Sequence, residues 1–451
     1  MAKQNNMGEK FLKLLELTKE RYSIKPELYD SYNVKRGLRN PDGTGVLAGL
    51  TAIGEVKGYI IDDGERVPVE GGLFYRGIDV FDLVKGFTSD KRFGFEETAF
   101  LLLFGILPSQ EQLDTFNSFV GNLRQLPDHF TEDMIMKAPS PDIMNKLARS
   151  ILASYSYDNS PDDISIPNSL RQSIELIARI PTMAAYAFQT KRHYYDNQSL
   201  YIHSPQPELS TSQNFLYMIR PDNQYTELEA EILDLMLVLH AEHGGGNNSA
   251  FACRVVSSTG TDTFSAIAAA VGSLKGPKHG GANAKVMFMM DDIKANVKDW
   301  GNDAEVEQYL KKILSKQASD KSGLIYGMGH AVYTISDPRA ILLKEKACQL
   351  SLDKGHLDEY ALYDAVERLT PKAFAEVKGD NKVICANVDL YSGFVYKMLG
   401  IPAELYTPLF AISRIVGWCA HRMEEIALGR IMRPGYKSIC ERDGYTPLSE
   451  R

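Results

Sequence analysis

The chain has 451 residues, 44% of them hydrophobic and 24% charged, an ordinary balance for a soluble globular protein long enough to bury a core without disulfides or structural metals. Its formal net charge of −8 gives no general attraction for nucleic acid, so an anionic ligand requires a local cluster of Arg and His. The cysteines Cys253, Cys348, Cys385, Cys419 and Cys440 are scattered, odd in number and without a CxxC pair. That pattern argues against a disulfide framework or thiolate zinc site and for a reducing cytoplasm. No apolar run approaches the ~20 residues of a membrane span.

Residues 8–24 carry apolar positions at helical spacing, with Phe11, Leu12, Leu14, Leu15 and Leu17. Glu16 and Glu20 set that stretch apart from an acid-poor transit peptide. Residues 36–79 are Gly-rich and include GYIIDDG and GGLFYRG, which predict short strands and turns. From about residue 95 helical patterns dominate: ETAFLLLFGIL, IMNKLARSILASYSY, SLRQSIELIARIPTMAAYAFQ and ELEAEILDLMLVLHAEH. Residues 262–274, DTFSAIAAAVGSL, read as an apolar helix whose small side chains allow close approach in a helical core. The Pro-, Ser- and Asp-rich stretches 158–168 and 203–222 are expected to be exposed connections. The predicted fold is mainly α, with no internal repeat and with candidate domain breaks near 276–283 and Gly400-Ile401-Pro402.

The polar residues that stand out do so in glycine-rich settings. His240 and His243 lie in HAEHGGGNNSA, His279 in GPKHGGAN and His330 in GMGHAVY. Glycines let a backbone turn sharply and approach a ligand closely. Asp389 lies in ANVDLYSG; Arg339, Arg414 and Arg433 lie in SDPRA, SRIVGW and MRPGYKS. Arg engages carboxylates through a planar two-pronged fork. Taken singly, each residue also reads as a helix cap, a satisfied buried group or a surface pair; together they point to a site. Other chemistries lack parts. HAEH is not HExxH and has no thiolate partners, HGGG comes without a GxSxG elbow, and neither a Walker A sequence nor GxGxxG occurs.

In order and spacing, GGLFYRG, ELSTSQNFLYM, HAEHGGGNNSA, GPKHGGAN, GMGHAVYTISDPRA, NVDLYSG, SRIVGW and RPGYKS resemble the citrate synthase family over most of the chain. The resemblance implies an all-α homodimer with a two-domain citrate synthase-like fold and a few short N-terminal strands. The large domain would comprise 1–279 and 400–451, and the small domain 280–399, with the site in the cleft between them. The implied reaction condenses acetyl-CoA with oxaloacetate. Asp389 would be the general base, His279 the donor to the thioester oxygen and His330 the acid at the keto group. His243, Arg339, Phe410, Arg414 and Arg433 would line the oxaloacetate site, Arg433 reaching it across the subunit interface. Leu324, Ile325, Gly327, Gly329 and Asn387 match the CoA-binding rim. The family requires no metal or redox cofactor and closes its domains over oxaloacetate.

Two departures stand out. Glu242-His243-Gly244 occupies the place where many relatives have Asp-His-Glu, and Thr334 stands where some carry a basic residue that meets CoA phosphate. Propionyl-CoA as substrate, which would make the product 2-methylcitrate, stays open, since one methylene changes discrimination by only ~1–3 kcal/mol. A non-catalytic acyl-CoA-binding protein and an acyl-CoA thioesterase are the alternatives of a different class.

Overall fold

A computed structural model of the chain describes residues 11–12, 15–16, 23–379, 383–440, 442 and 444–450. Most of the helix expected over 8–24, with Leu14, Leu17 and Glu20, lies outside them. The chain divides between Leu50 and Thr51. In the first unit, α1 (Pro26–Ser31) begins on a proline, whose missing N–H has no helical partner to lose. A bridge between Arg39 and Gly45 closes a turn.

The second unit opens with an antiparallel hairpin, β1 (Gly54–Asp62) and β2 (Glu65–Tyr75), to which the short β3 (Ile78–Asp79) adds. Asp63 and Gly64 turn it, both at positive φ (46° and 83°), the geometry of a two-residue hairpin turn that suits the strand twist. The strands expected within 36–79 are therefore present, and the remainder of the unit is helical. In chain order the helices are α2 (Val80–Ser89), α3 (Phe95–Phe104), α4 (Gln110–Leu123), α5 (Ile143–Ser154), α6 (Ile166–Asp196), α7 (Thr211–Ile219), α8 (Glu227–His240) and α9 (Asn248–Ser257). They continue with α10 (Thr263–Lys275), α11 (Ala282–Asn296), α12 (Asp303–Leu314), α13 (Pro338–Lys354), α14 (Leu357–Lys378), α15 (Val388–Met398) and α16 (Tyr406–Leu428). The fold is mainly α, as the periodicity predicts.

Helix α16 is the axis of this unit. Leu409, Ile412, Ile415, Val416 and Trp418 are all buried on it, and it packs against α6, α8, α9 and α10. A helix buried on every side needs apolar residues all round, not a single stripe, and each fully buried aliphatic side chain contributes ~1.5–3 kcal/mol. A polar residue on such a helix, as Arg414 and His421 are, stays there only with partners.

One expected connection is not a loop. Residues 203–222 contain α7, started by a capping box: the Ser210 hydroxyl accepts the Gln213 N–H at 3.2 Å and the Gln213 side chain accepts the Ser210 N–H at 2.9 Å. The Gly-rich stretch at 276–281 is a turn leading into α11, and Gly400, at φ 66°, turns the chain between α15 and α16.

Candidate active site

Five segments bring the polar residues together: the loop after α8, the 276–281 turn before α11, the segment leading into α13, the start of α15, and α16. On α16, Arg414 is 1% exposed. Its Nε donates to the His240 carbonyl at 2.5 Å, and its guanidinium lies 4.7 Å from the Phe410 ring centre. Its Nη1 and Nη2 are buried and unpartnered within the chain. Burial pulls Arg414 down to about 10, with Glu242 working the other way, so it remains charged at neutral pH. A buried cation with two unused donor nitrogens is a strong anion hook.

Arg339 sits in the first turn of α13. Asp337 caps that helix and takes Arg339 Nε at 3.0 Å and Nη2 at 2.7 Å. Burial opposes the Arg339 charge, but Asp337 outweighs burial and the guanidinium is held above its ordinary range. Asp337 also accepts the Val388 N–H at 3.3 Å, which ties α13 to the start of α15. Thus Arg339 is aimed by an adjacent carboxylate, whereas Arg414 is aimed by a carbonyl.

The imidazoles fill the space between. His243 lies 5.2 Å from His330 and 5.6 Å from Tyr333, ring centre to ring centre. His330 lies 4.7 Å from Tyr333, and Arg339 sits 5.6 Å from the Tyr333 ring centre. His240 and His279 contact Phe410 at 4.8 and 6.3 Å. Burial, then the Arg339 charge, lowers His240 and His243 well below the usual histidine range. Both are therefore neutral, and His240 Nδ1 and His243 Nε2 are buried without an intrachain partner.

Hydrogen bonds select the tautomers. His330 Nδ1 accepts from the Val332 and Tyr333 N–H groups, each at 3.1 Å, which leaves its proton on Nε2. His279 Nε2 is 3.0 Å from Ser249 Oγ, and Trp418 Nε1 donates to the same oxygen at 3.1 Å. The Ser249 hydroxyl, already accepting from Trp418, keeps its hydrogen to donate to His279 Nε2; with that bond made, the His279 proton is on Nδ1. Burial and the Arg414 charge bring His279 down to about 4.

Asp389, half-buried in the first turn of α15, is raised to about 6 by burial, partly offset by Arg339. Its backbone N–H is capped by Asn387 Oδ1 at 3.0 Å. Its carboxylate accepts no hydrogen bond from the described residues, so its lone pairs are unengaged. The Asn387 amide also donates to the Gly329 carbonyl at 2.7 Å, and the Asn387 N–H donates to Gly327 at 2.9 Å. Gly327 and Gly329, at φ 82° and 87°, let this segment pair beside Ala386; a side chain on Gly327 would meet Leu390. Leu324 at its edge is exposed and Ile325 is buried. The segment is thus a rim next to Asp389.

The turn holding His243 is built differently from the usual pattern. Gly244 has φ 84°, and its N–H donates to Glu242 Oε1 at 2.5 Å. The acid at 242 serves this turn, so position 244 is free to be glycine. Thr334 is half-buried, and Arg433 is exposed in the tail after α16, where no intrachain ion pair engages it among the described residues. Of the residues singled out from the sequence, His243, His279, His330, Arg339, Asp389, Phe410 and Arg414 come together, and Arg433 does not join them within its own chain. Ser249, Trp418, Tyr333 and Asp337 are additions. Asp337 had a signal, the Asp-Pro-Arg order at a helix start; the Ser249–Trp418 pair had none.

A cavity of about 450 Å³ is lined by Arg220, Asp222, Glu229 and Gly400. There Arg220 is already taken up by Glu229 at 2.7 Å, Gln224 at 2.8 Å and Leu399 at 2.6 Å. Among the described residues no helix is long and apolar enough to cross a membrane, and no group of His, Cys, Asp or Glu is placed to hold a metal ion.

A helical scaffold that buries arginines and neutral imidazoles around an elevated carboxyl group marks an enzyme, and comparison with known proteins gives its kind. The family model "Citrate synthase, C-terminal domain" matches residues 41–435. A citrate synthase from Synechocystis sp. is 36% identical over 85% of this chain and 89% of its own. A 2-methylcitrate synthase from Shewanella oneidensis is 31% identical over 80% of this chain and 87% of its own. The solved citrate synthase of Thermoplasma acidophilum, in ternary complex with carboxymethyl coenzyme A and oxaloacetate, superposes with a TM-score of 0.74 at 27% identity, covering 93% of this chain and 99% of that one. The chain belongs to the citrate synthase family, whose members are acyltransferases.

Proposed function

We propose that this enzyme condenses acetyl-CoA with oxaloacetate and water to give citrate and CoA. The observation that carries the reading is the company Asp389 keeps: a carboxyl group raised to about 6 and acted on by Arg339 and Arg414, the two arginines around which His243 and His279 also gather. Asp389 takes a methyl proton from the acetyl group, and the C–H electron pair moves into the enolate. His279 Nδ1–H donates to the thioester oxygen where that charge collects. A positioned base typically contributes ~10²–10⁴-fold, and loss of one oxyanion donor costs ~2.7–4 kcal/mol. The new nucleophilic carbon attacks the keto carbon of oxaloacetate, and His330 Nε2–H supplies the proton as the keto oxygen becomes an alkoxide. Water then cleaves the thioester and releases CoA.

The oxaloacetate carboxylates go to Arg339, Arg414 and His243, with Phe410 walling the reacting space and Arg433 arriving from the second subunit of a homodimer. Residues 280–399 act as the small domain and close over the ketoacid, so that acetyl-CoA meets a water-poor site. Leu324, Ile325, Gly327, Gly329 and Asn387 form the CoA rim, chiefly through backbone. No metal or redox cofactor takes part, and the enzyme works in the cytoplasm.

The test is CoA release from acetyl-CoA and from propionyl-CoA, each with and without oxaloacetate. Release from acetyl-CoA only with oxaloacetate is expected. A preference for propionyl-CoA would make it a 2-methylcitrate synthase, release without oxaloacetate a thioesterase, and no release a binding protein.

A further inference from the structure

The loop that presents His240 and His243 is gripped along its length by one stripe of α16. Phe410, Arg414, Gly417 and His421 follow at helical spacing on one face. Phe410 meets the His240 ring, and Arg414 Nε holds the His240 carbonyl. At Gly417 any Cβ would overlap the Ala241 carbonyl and the Glu242 carboxylate, so the helix backbone itself lies against the loop. His421 Nε2 meets Glu242 Oε1 at 2.9 Å. On the other side of Glu242, a Cβ on Gly54 would lie 2.7 Å from Glu242 Cγ. Two glycines thus leave room for a glutamate, and His421 and Gly244 hold its end.

The far side of His421 decides which way the hydrogen bond runs. Arg254 Nη2 lies 2.7 Å from His421 Nδ1, and a guanidinium can only donate. Nδ1 therefore accepts, and the imidazole proton is on Nε2, directed at Glu242. Arg254 is itself fixed by Glu425 at 3.0 Å, by Glu424 and by Thr51 Oγ1 at 3.1 Å. The order is Glu424 and Glu425, Arg254, His421, Glu242, then the Gly244 N–H, with His243 between the two loop contacts. His421, Glu242 and Arg254 are all buried.

We propose that His421 is a positioning residue for the ketoacid half of the site: by donating to Glu242 it holds the 240–245 turn so that His243 faces Arg339 and Arg414. This rests on the ketoacid site described above and adds to it a group that touches no substrate. It also accounts for Gly244, because the turn is held from Glu242 and needs no acid of its own.

The test uses the whole enzyme and reads the KM for oxaloacetate against kcat and the KM for acetyl-CoA in His421→Leu, His421→Gln and Glu242→Gln. A buried hydrogen bond to a charged group is lost in His421→Leu, which corresponds to about a 10- to 100-fold rise in the oxaloacetate KM. The acetyl-CoA KM stays within about twofold, because the hydrogen bonds of His421 run to Arg254 and Glu242 and not to the rim segment 324–329. His421→Gln keeps an N–H where Nε2 was and recovers most of the loss, while Glu242→Gln, which keeps the Oε1 acceptor but not its charge, shows a smaller rise than His421→Leu. A purely structural role would instead move both KM values or only the melting temperature. The proposal is overturned if folded His421→Leu keeps a normal oxaloacetate KM, if both KM values rise together, or if His421→Gln is as impaired as His421→Leu. Should His421→Leu fail to fold, His421→Asn, whose amide is too short to reach Glu242, decides: an unchanged oxaloacetate KM in it overturns the proposal. CoA release by the wild type without oxaloacetate would instead remove the underlying functional reading.

Discussion

Ser249 joins Trp418 to His279: its hydroxyl oxygen accepts Trp418 Nε1–H at 3.1 Å and lies 3.0 Å from His279 Nε2. One serine therefore links a core tryptophan on α16 to the imidazole that is to stabilise the enolate. Ser249→Ala removes the hydrogen-bond partner of His279 Nε2 and leaves Trp418 Nε1 unpaired. The net worth of such a bond, ~1–2 kcal/mol, corresponds to about a 5- to 30-fold fall in kcat. Steady-state kinetics checks it, with oxaloacetate KM expected to stay near normal. An unchanged kcat in the folded variant would mean that Ser249 does not control His279.

The pH profile separates the base from the donor. Asp389 acts only when ionised, and burial raises it to about 6, so kcat rises with pH and is half-developed near there. His279, at about 4, is already neutral over that range and adds no second break. For stability the sign is opposite. The folded chain holds the Asp389 proton more tightly than an unfolded chain, whose Asp titrates at ~3.9. Native stability therefore falls as pH rises from about 4 through about 6. Asp389→Asn removes that loss, so near pH 8 the variant melts at the same or a higher temperature while turnover drops by ~10² or more. A clear fall in melting temperature with turnover retained would reverse both assignments.

The hairpin bears directly on the segment that carries His330. A Cβ on Gly71 would overlap the Ser336 carbonyl and lie 2.9 Å from Tyr333 Cδ1, while one on Gly58 would lie 2.5 Å from the Val332 carbonyl oxygen. Ser336 Oγ also accepts the Gly71 N–H at 3.0 Å and donates to Glu70. Gly71→Ala must push residues 333–336 away, and overpacking of this kind costs ~1–3 kcal/mol. Denaturant melts should show that loss, and kcat should fall with it because the His330 N–H acceptor geometry is disturbed. If Gly71→Ala loses stability alone, the hairpin is a scaffold without influence on His330.

What was legible in the sequence follows from the range of each interaction. Helices such as α8 and α10 declare themselves through local apolar patterning, and Gly-flanked His279 and His330 stand out within a few residues. The capping box of α7 was also local, but Ser210 and Gln213 sit in a polar stretch whose composition reads as loop. The pairs that tune the site are remote in sequence: Glu242 and His421 are 179 residues apart, and Ser249 and Trp418 are 169 apart. No periodicity couples them, because only packing of α16 against the loop after α8 brings them together. Asp389 illustrates the same limit, since its position in the family pattern names a base, but only burial gives it the elevated pKa.

Arg433 supplies the last test, because its own chain leaves it exposed while the proposed site needs one more cation. If Arg433 serves the partner's oxaloacetate, two inactive variants should repair each other. Asp389→Asn and Arg433→Gln are made in separate chains, unfolded and refolded together. In a heterodimer with shared sites, one site receives both defects. The other combines intact Asp389 from the Arg433→Gln chain with intact Arg433 from the Asp389→Asn chain. Activity returns at up to one working site per heterodimer, so a statistical mixture, about half heterodimer, reaches roughly a quarter of the wild-type rate per chain. If Arg433 serves its own subunit, every heterodimer site carries one defect and the mixture stays inactive. Native mass spectrometry establishes that heterodimers have formed, and an inactive mixture containing them would remove Arg433 from the shared site.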